Sequence, residues 1–213
     1  VTDQRPEDFR AQAEREVPPS DDLATRGDAV RQRMELLFYR HAEIAARARR
    51  INTEIKPDLT LAIHFNAVPW DECQRLVADN RLLFFVHGNY LAGELTHESQ
   101  RYRLFYKLLR GVHRTEIAVA DAIAAAFREA TGLPPAEYPA PVGTTGYVFA
   151  RNLAANRLMD SPVVYLEPYY MNNRLVYQRL QLGDYDGERV IEGQPYRSIF
   201  REYADAVAAG LAA

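Results

Sequence analysis

Three short apolar runs, LTLAIHF (59–65), LLFFVH (82–87) and PVVYLE (162–167), constrain this chain most. Each is rich in β-branched or aromatic residues and too short for a helix between its flanks, so each predicts a buried strand of the parallel type. Helical periodicity fills much of the sequence around them. Met34, Leu37, Phe38, His41, Ile44, Ala45, Ala48 and Ile51 recur at steps of mostly three and four, predicting an amphipathic helix of roughly 25 residues from Asp28 to the Lys56-Pro57 stop. Two tandem helices are expected over 98–111 and 115–130, the second ended by TGLPP. YVFAR (147–151) reads as a short strand, NLAANRLM (152–159) as a short helix, and 196–213 as a final amphipathic helix. PAEYPAPVGTTG reads as a long loop, and the stretch after PYYMNN as a polar, tyrosine-rich connection.

Strands separated by helices predict an α/β fold: a three-layer α/β/α arrangement around a central, largely parallel sheet. Residues 1–27 read as an irregular leader or insertion, with a short helical stretch over EDFRAQAEREV broken at PPSDD, and 28–213 as one α/β domain. In open sheets of this kind the functional crevice lies outside the carboxyl ends of the strands. His64, His87 and Glu167 each fall at such an end and are expected to converge on one rim.

Composition narrows the partners. A net charge of −3 with arginines spread along helices points to no nucleic-acid partner. One cysteine, Cys73, excludes an internal disulfide framework and a cysteine-rich zinc module. No run approaches the roughly 18 apolar residues of a membrane-crossing helix. The chain starts at Val1, so a mature or truncated amino terminus is expected.

An imidazole in an apolar strand is a hydrogen-bonded core group, a metal ligand or a proton-transfer group, and the residues around His64 leave all three open. Glu167 closing an apolar strand implies either a site or an ion-pair partner such as Arg151, since a buried unpaired carboxylate is costly. His87, His97 and Glu94 form a second candidate ligand set; Arg151 and Asn152 are candidates to orient a polar substrate or to cap the surface. Tyr165, Tyr169, Tyr170 and Tyr177 suit stacking on a sugar or peptide, or simple packing. His41 shares a helical face with core residues and His113 lies in an inter-helix turn; neither is assigned a role.

INTEIKPDLTLAIHFNA (51–67) resembles the segment of zinc-dependent N-acetylmuramoyl-L-alanine amidases in which a helix ending in Asn is followed by a Ser-Ile-His-x-Asn-Ala strand; Asn52, Asp58, Ile63, His64, Asn66 and Ala67 match. SPVVYLEPYYMNN is similar to the family's Pro-x-Val-x-x-Glu strand and following loop, and FREYADAVAAGLAA to its last helix. The resemblance spans residues 30–213. It implies a phosphorylase/hydrolase-like α/β fold, Zn²⁺ as cofactor with His64 as one ligand, and Glu167 as the catalytic carboxylate. It also implies a peptidoglycan or muramyl-peptide substrate and a place in the cell envelope, periplasmic or extracellular. Substrate-binding roles are expected for Asn66, His87, Arg151, Asn152 and Tyr169. The family's other two zinc ligands precede the matched region, so the chain is expected to lack the domain's first strand and helix, with the metal site completed by upstream residues. Phe65 and Pro168-Tyr169-Tyr170 depart from the family pattern and are expected to reshape the groove. Two alternatives remain: a catalytically inactive glycan- or peptide-binding domain on the same scaffold, and a different zinc N-acyl amino acid hydrolase.

Overall fold

The computed structural model describes residues 2–70 and 75–213; Cys73 lies outside the described residues. In chain order the elements are α1 (Arg10–Glu16), α2 (Leu23–Leu37), α3 (Glu43–Arg50), β1 (Thr60–Ile63), β2 (Phe84–His87), α4 (Glu98–Leu109) and α5 (Val112–Thr131). They continue with β3 (Pro141–Val142), β4 (Val148–Arg151), α6 (Ala154–Leu158), β5 (Val163–Leu166), α7 (Arg174–Gln181), β6 (Glu188–Ile191), β7 (Gln194–Arg197) and α8 (Ile199–Ala212). The chain divides into two compact units, Val1–Asp58 with Leu153–Ser161, and Leu59–Asn152 with Pro162–Ala213.

In the first unit the long predicted helix forms and begins before Asp28. The Asp22 carboxylate accepts from the amides of Ala24 and Thr25, capping α2 at Leu23. A π-helical turn at Phe38–Ala42 carries α2 into α3, and a second one follows at Ile51–Ile55. Lys56 then takes a left-handed conformation (φ 48°). That is a stop consistent with Pro57, whose ring disfavours helical backbone in the residue before it. Val30, Met34 and Leu37 bury one helical stripe against Ala13 of α1, so the segment expected to be a leader packs in the same unit as the long helix. The Asn52 side chain holds the returning segment, donating to the Leu158 carbonyl at 2.9 Å and accepting from the Asp160 amide at 2.8 Å.

The second unit holds a five-stranded sheet of order β1-β5-β2-β4-β3. The longer ladders, β1–β5 and β2–β4, are parallel, and the shorter ones, β5–β2 and β4–β3, are antiparallel. Strand β2 is buried throughout, as its apolar run predicts. Alternation sends Phe84, Val86, Val148, Val164 and Leu166 to the face covered by α5 and α8, where they meet Ile123, Phe127, Tyr203 and Ala206. On the opposite face the Tyr138 ring makes T-shaped contacts with Phe85 and Phe149, with ring centroids 5.4 and 5.3 Å apart. Helices α5 and α8 cross closely at Gly210: a Cβ there would overlap the Ile123 backbone.

A helix and a two-stranded hairpin replace the expected polar connection. Asn173 caps α7 by accepting from the Val176 amide, and β6 and β7 form a hairpin whose turn residues Glu192 and Gly193 have φ of 51° and 81°. Positive φ at both central positions marks a type I′ turn, which Glu-Gly signals far less clearly in sequence than Asn-Gly. No helix among the described residues is long and apolar enough to cross a membrane.

Candidate functional site at one sheet edge

The parallel ladder of β1 and β5 runs in register through Ile63 and Leu166, and its next hydrogen bond, from the His64 amide to the Leu166 carbonyl, measures 3.0 Å. His64 and Glu167 are therefore neighbours, each the first residue beyond its strand. Strand alternation puts them on the same face as Tyr165. The His64 ring stacks on the Tyr165 ring, with centroids 4.5 Å apart and planes 16° from parallel, and the residue is exposed. The Glu167 amide is fixed by the Leu83 carbonyl at 2.9 Å. Its carboxyl is pushed above the ordinary glutamate range by burial, and the Arg151 guanidinium opposes that shift.

The loops that leave the two strands are laced together. The Asn66 amide donates to the Tyr169 carbonyl, and the Asn66 carbonyl accepts from the Met171 amide at 2.7 Å. The Asn66 side chain accepts from the Ala67 amide at 2.7 Å. Asn172 uses both ends of its amide on Val68, accepting from its N–H and donating to its carbonyl. Asn173 donates to the carbonyls of Val77, Ala78 and Asp79. This part of the edge is thus preorganised by buried asparagines, and Asn66, expected to bind substrate, lies beside His64 with its backbone locked in the lacing.

Tyr203 supports the edge from beneath. Its hydroxyl donates to the carbonyls of His64 at 3.2 Å and Leu166 at 3.4 Å. Burial pushes its ionisation up, and the nearby Glu167 carboxylate adds to the rise. Sequence reading missed this residue. The signal was a lone tyrosine in a stripe of small residues, Tyr203, Ala206 and Gly210, all buried on α8.

The predicted convergence of three strand-end groups does not occur. Because β2 runs antiparallel to β5, its carboxyl end lies at the opposite sheet edge, level with the start of β5. The Glu116 carboxylate marks that edge by accepting from the amides of both His87 (3.1 Å) and Val163 (2.9 Å). The Lys107 ammonium sits 3.5 Å from Glu116, both side chains being buried. The His87 ring, itself buried, meets the Tyr90 hydroxyl at 2.7 Å.

Arg151 is paired in register with His87 and its guanidinium lies 5.4 Å from the Phe85 ring centroid, turned back along the sheet. Asn152 donates to the Gln100 side chain at 2.8 Å. Glu94 accepts from the Leu91 amide, and His97 is exposed in the same connection. His41 is exposed on the long helix of the first unit, and His113 has a buried Nδ1 with no hydrogen-bond partner among the described residues.

Tyr169 also departs from expectation. It is buried, its ring packs among Phe65, Phe127 and Tyr203, and its hydroxyl donates to Glu202 at 2.7 Å. That leaves no ring face for a ligand. Burial and the adjacent Glu202 carboxylate push its ionisation up. Tyr170 is buried as well, and of the four tyrosines considered for stacking Tyr177 is the exposed one.

Among the described residues, no group of three or more histidine, cysteine, aspartate or glutamate side chains comes together to hold a metal ion. A zinc site ordinarily takes three protein donors and keeps an open position. The described residues thus do not make up such a site by themselves.

No protein-family model matches the chain, and no curated protein matches it. Among solved structures it is similar to the N-acetylmuramyl-L-alanine amidase Ami1 from Mycobacterium smegmatis, at 19% identity and a TM-score of 0.47, over 79% of this chain and 58% of that one. It is also similar to the apo form of Ami1 from Mycobacterium abscessus, at 23% identity and a TM-score of 0.44, over 79% of this chain and 59% of that one. The chain therefore spans less than two thirds of the length of either structure.

Proposed function

We propose that this chain carries the proton-handling part of an amide-hydrolysing site, with Glu167 as general base and then general acid. The amide proposed is the N-acetylmuramoyl-L-alanine bond of peptidoglycan or a related muramyl-peptide bond. The observation that supports the reading best is the in-register placement of His64 and Glu167 on one face at one sheet edge, the two residues that the sequence resemblance singles out. A half-buried carboxyl with a raised pKa is suited to taking a proton and returning it.

In this reading a water attacks the scissile carbonyl carbon, its oxygen forms the new C–O bond, and Glu167 accepts the proton. As the C–N bond breaks, the protonated Glu167 delivers that proton to the leaving amine and is restored as carboxylate. The products are a free acid and a free amine. His64 is the donor that this chain would offer to a zinc ion at the edge, and the remaining donors would come from outside the described residues, so no step is assigned to the metal. A peptidoglycan substrate would place the working protein in the cell envelope.

The test is release of the L-alanine amino group from a muramyl peptide, measured with and without added zinc in the full-length protein. Glu167→Gln should lower turnover by about 10²- to 10⁴-fold, the range for loss of a general acid–base group. Turnover unchanged in Glu167→Gln overturns the reading. Muramyl-peptide binding that survives both the substitution and chelation, with no turnover, assigns the scaffold to binding instead.

A further inference from the structure

Helix α4 is built inside out. Its one buried residue is Lys107, 2% exposed, whereas Tyr102 and Phe105 are each 61% exposed and Leu109 is 88% exposed. At roughly 100° per residue, Tyr102, Phe105 and Leu109 share one stripe, and Lys107 lies on the opposite side. Lys107 points inward because Glu116 of α5 awaits it at 3.5 Å. Leu108 of α4 and Leu91 before it are exposed as well.

The surroundings of that stripe are cationic. Besides the buried Lys107, residues 91–114 hold four basic side chains (Arg101, Arg103, Arg110 and Arg114) and two carboxylates (Glu94 and Glu98), in a chain whose net charge is −3. The Arg103 guanidinium lies 5.9 Å from the Tyr102 ring centroid. Arg110 lies 5.5 Å from that of Tyr106 and donates to its hydroxyl at 2.8 Å. The Tyr102 and Tyr106 rings stack at 6.2 Å.

From this pattern we propose that the exposed face of α4 docks onto an anionic lipid surface, with Tyr102, Phe105 and Leu109 entering the interface and the arginines meeting headgroup phosphates. Aromatic and leucine side chains on one face with arginines beside them suit an interfacial helix, whose affinity combines buried apolar area with attraction to anionic lipid. A nucleic acid would satisfy the arginines and leave the leucines in water. The inner side of α4 meets the sheet edge opposite His64 and Glu167, where Lys107 reaches the Glu116 carboxylate that accepts from the His87 and Val163 amides.

The experiment is flotation of the full chain with vesicles of phosphatidylglycerol and phosphatidylcholine in equal parts, beside vesicles of phosphatidylcholine alone. The chain should float with the anionic vesicles at low salt, bind several-fold less at high salt, and stay behind with the neutral ones. The triple variant Tyr102→Ser, Phe105→Ser, Leu109→Ser should lose flotation while keeping its thermal transition, since these side chains are already exposed. Three results overturn the proposal: no flotation at low salt, flotation unchanged in the triple variant, or a dimer seen by sedimentation in place of lipid binding.

Discussion

The Tyr203 hydroxyl donates to the His64 carbonyl at 3.2 Å, tying the last helix to the first residue beyond β1. That bond joins the carboxy-terminal helix to the edge where His64 and Glu167 stand side by side, so α8 serves both the core and the candidate site. Tyr203→Phe keeps the ring among Phe65, Phe127 and Tyr169 and removes only the hydroxyl. It should cost about 0.5–1.5 kcal/mol in urea unfolding, the usual net worth of one hydrogen bond. If it positions His64, turnover should fall further than stability at the assay temperature explains.

Glu167 makes a pH-dependent prediction with a definite sign. Its folded pKa is raised by burial above the ordinary 4.5, so the neutral form is the better tolerated one. The associated stability is fully present below the unfolded pKa and is lost as pH rises through the folded value. Glu167→Gln, which cannot ionise, should therefore be more stable than the wild type at neutral pH, with the advantage shrinking as the pH falls through the folded value and gone below about 4.5. Denaturant unfolding across this range checks it, and a constant difference would contradict the assignment.

The pair of Lys107 and Glu116 at the other edge is buried on both sides. Lys107→Met should destabilise by about 3–5 kcal/mol, because it leaves a buried carboxylate without its cation. Adding Glu116→Gln to it removes the unpaired charge but leaves one oxygen for the amides of both His87 and Val163, so only part of that loss should return, which a double-mutant cycle in urea would measure.

Two glycines should respond in opposite directions. Gly210→Ala drives a methyl into the Ile123 backbone and should cost about 1–3 kcal/mol. Gly27→Ala, on the exposed side of α2 with open space around it, should add roughly 0.5–1 kcal/mol. Thermal melts of the two variants test both at once.

By itself the sequence determined where the strands β1, β2, β4 and β5 lie, the long helix ending at Lys56, the tandem helices α4 and α5, and the last helix. Each follows from local periodicity and from stop signals such as Pro57 and TGLPP. It also singled out His64 and Glu167 as strand-end groups. The tertiary structure alone decided which strand ends share an edge. An apolar run such as LLFFVH buries equally well in either direction, so nothing in it announces that β2 opposes β5 and carries His87 away from Glu167. The same holds for Tyr169 and Tyr203, whose roles depend on which partner reaches each hydroxyl: Glu202 for the first, and the carbonyls of His64 and Leu166 for the second. Periodicity fixes which residues are buried, and only the assembled sheet and helices fix what they are buried against.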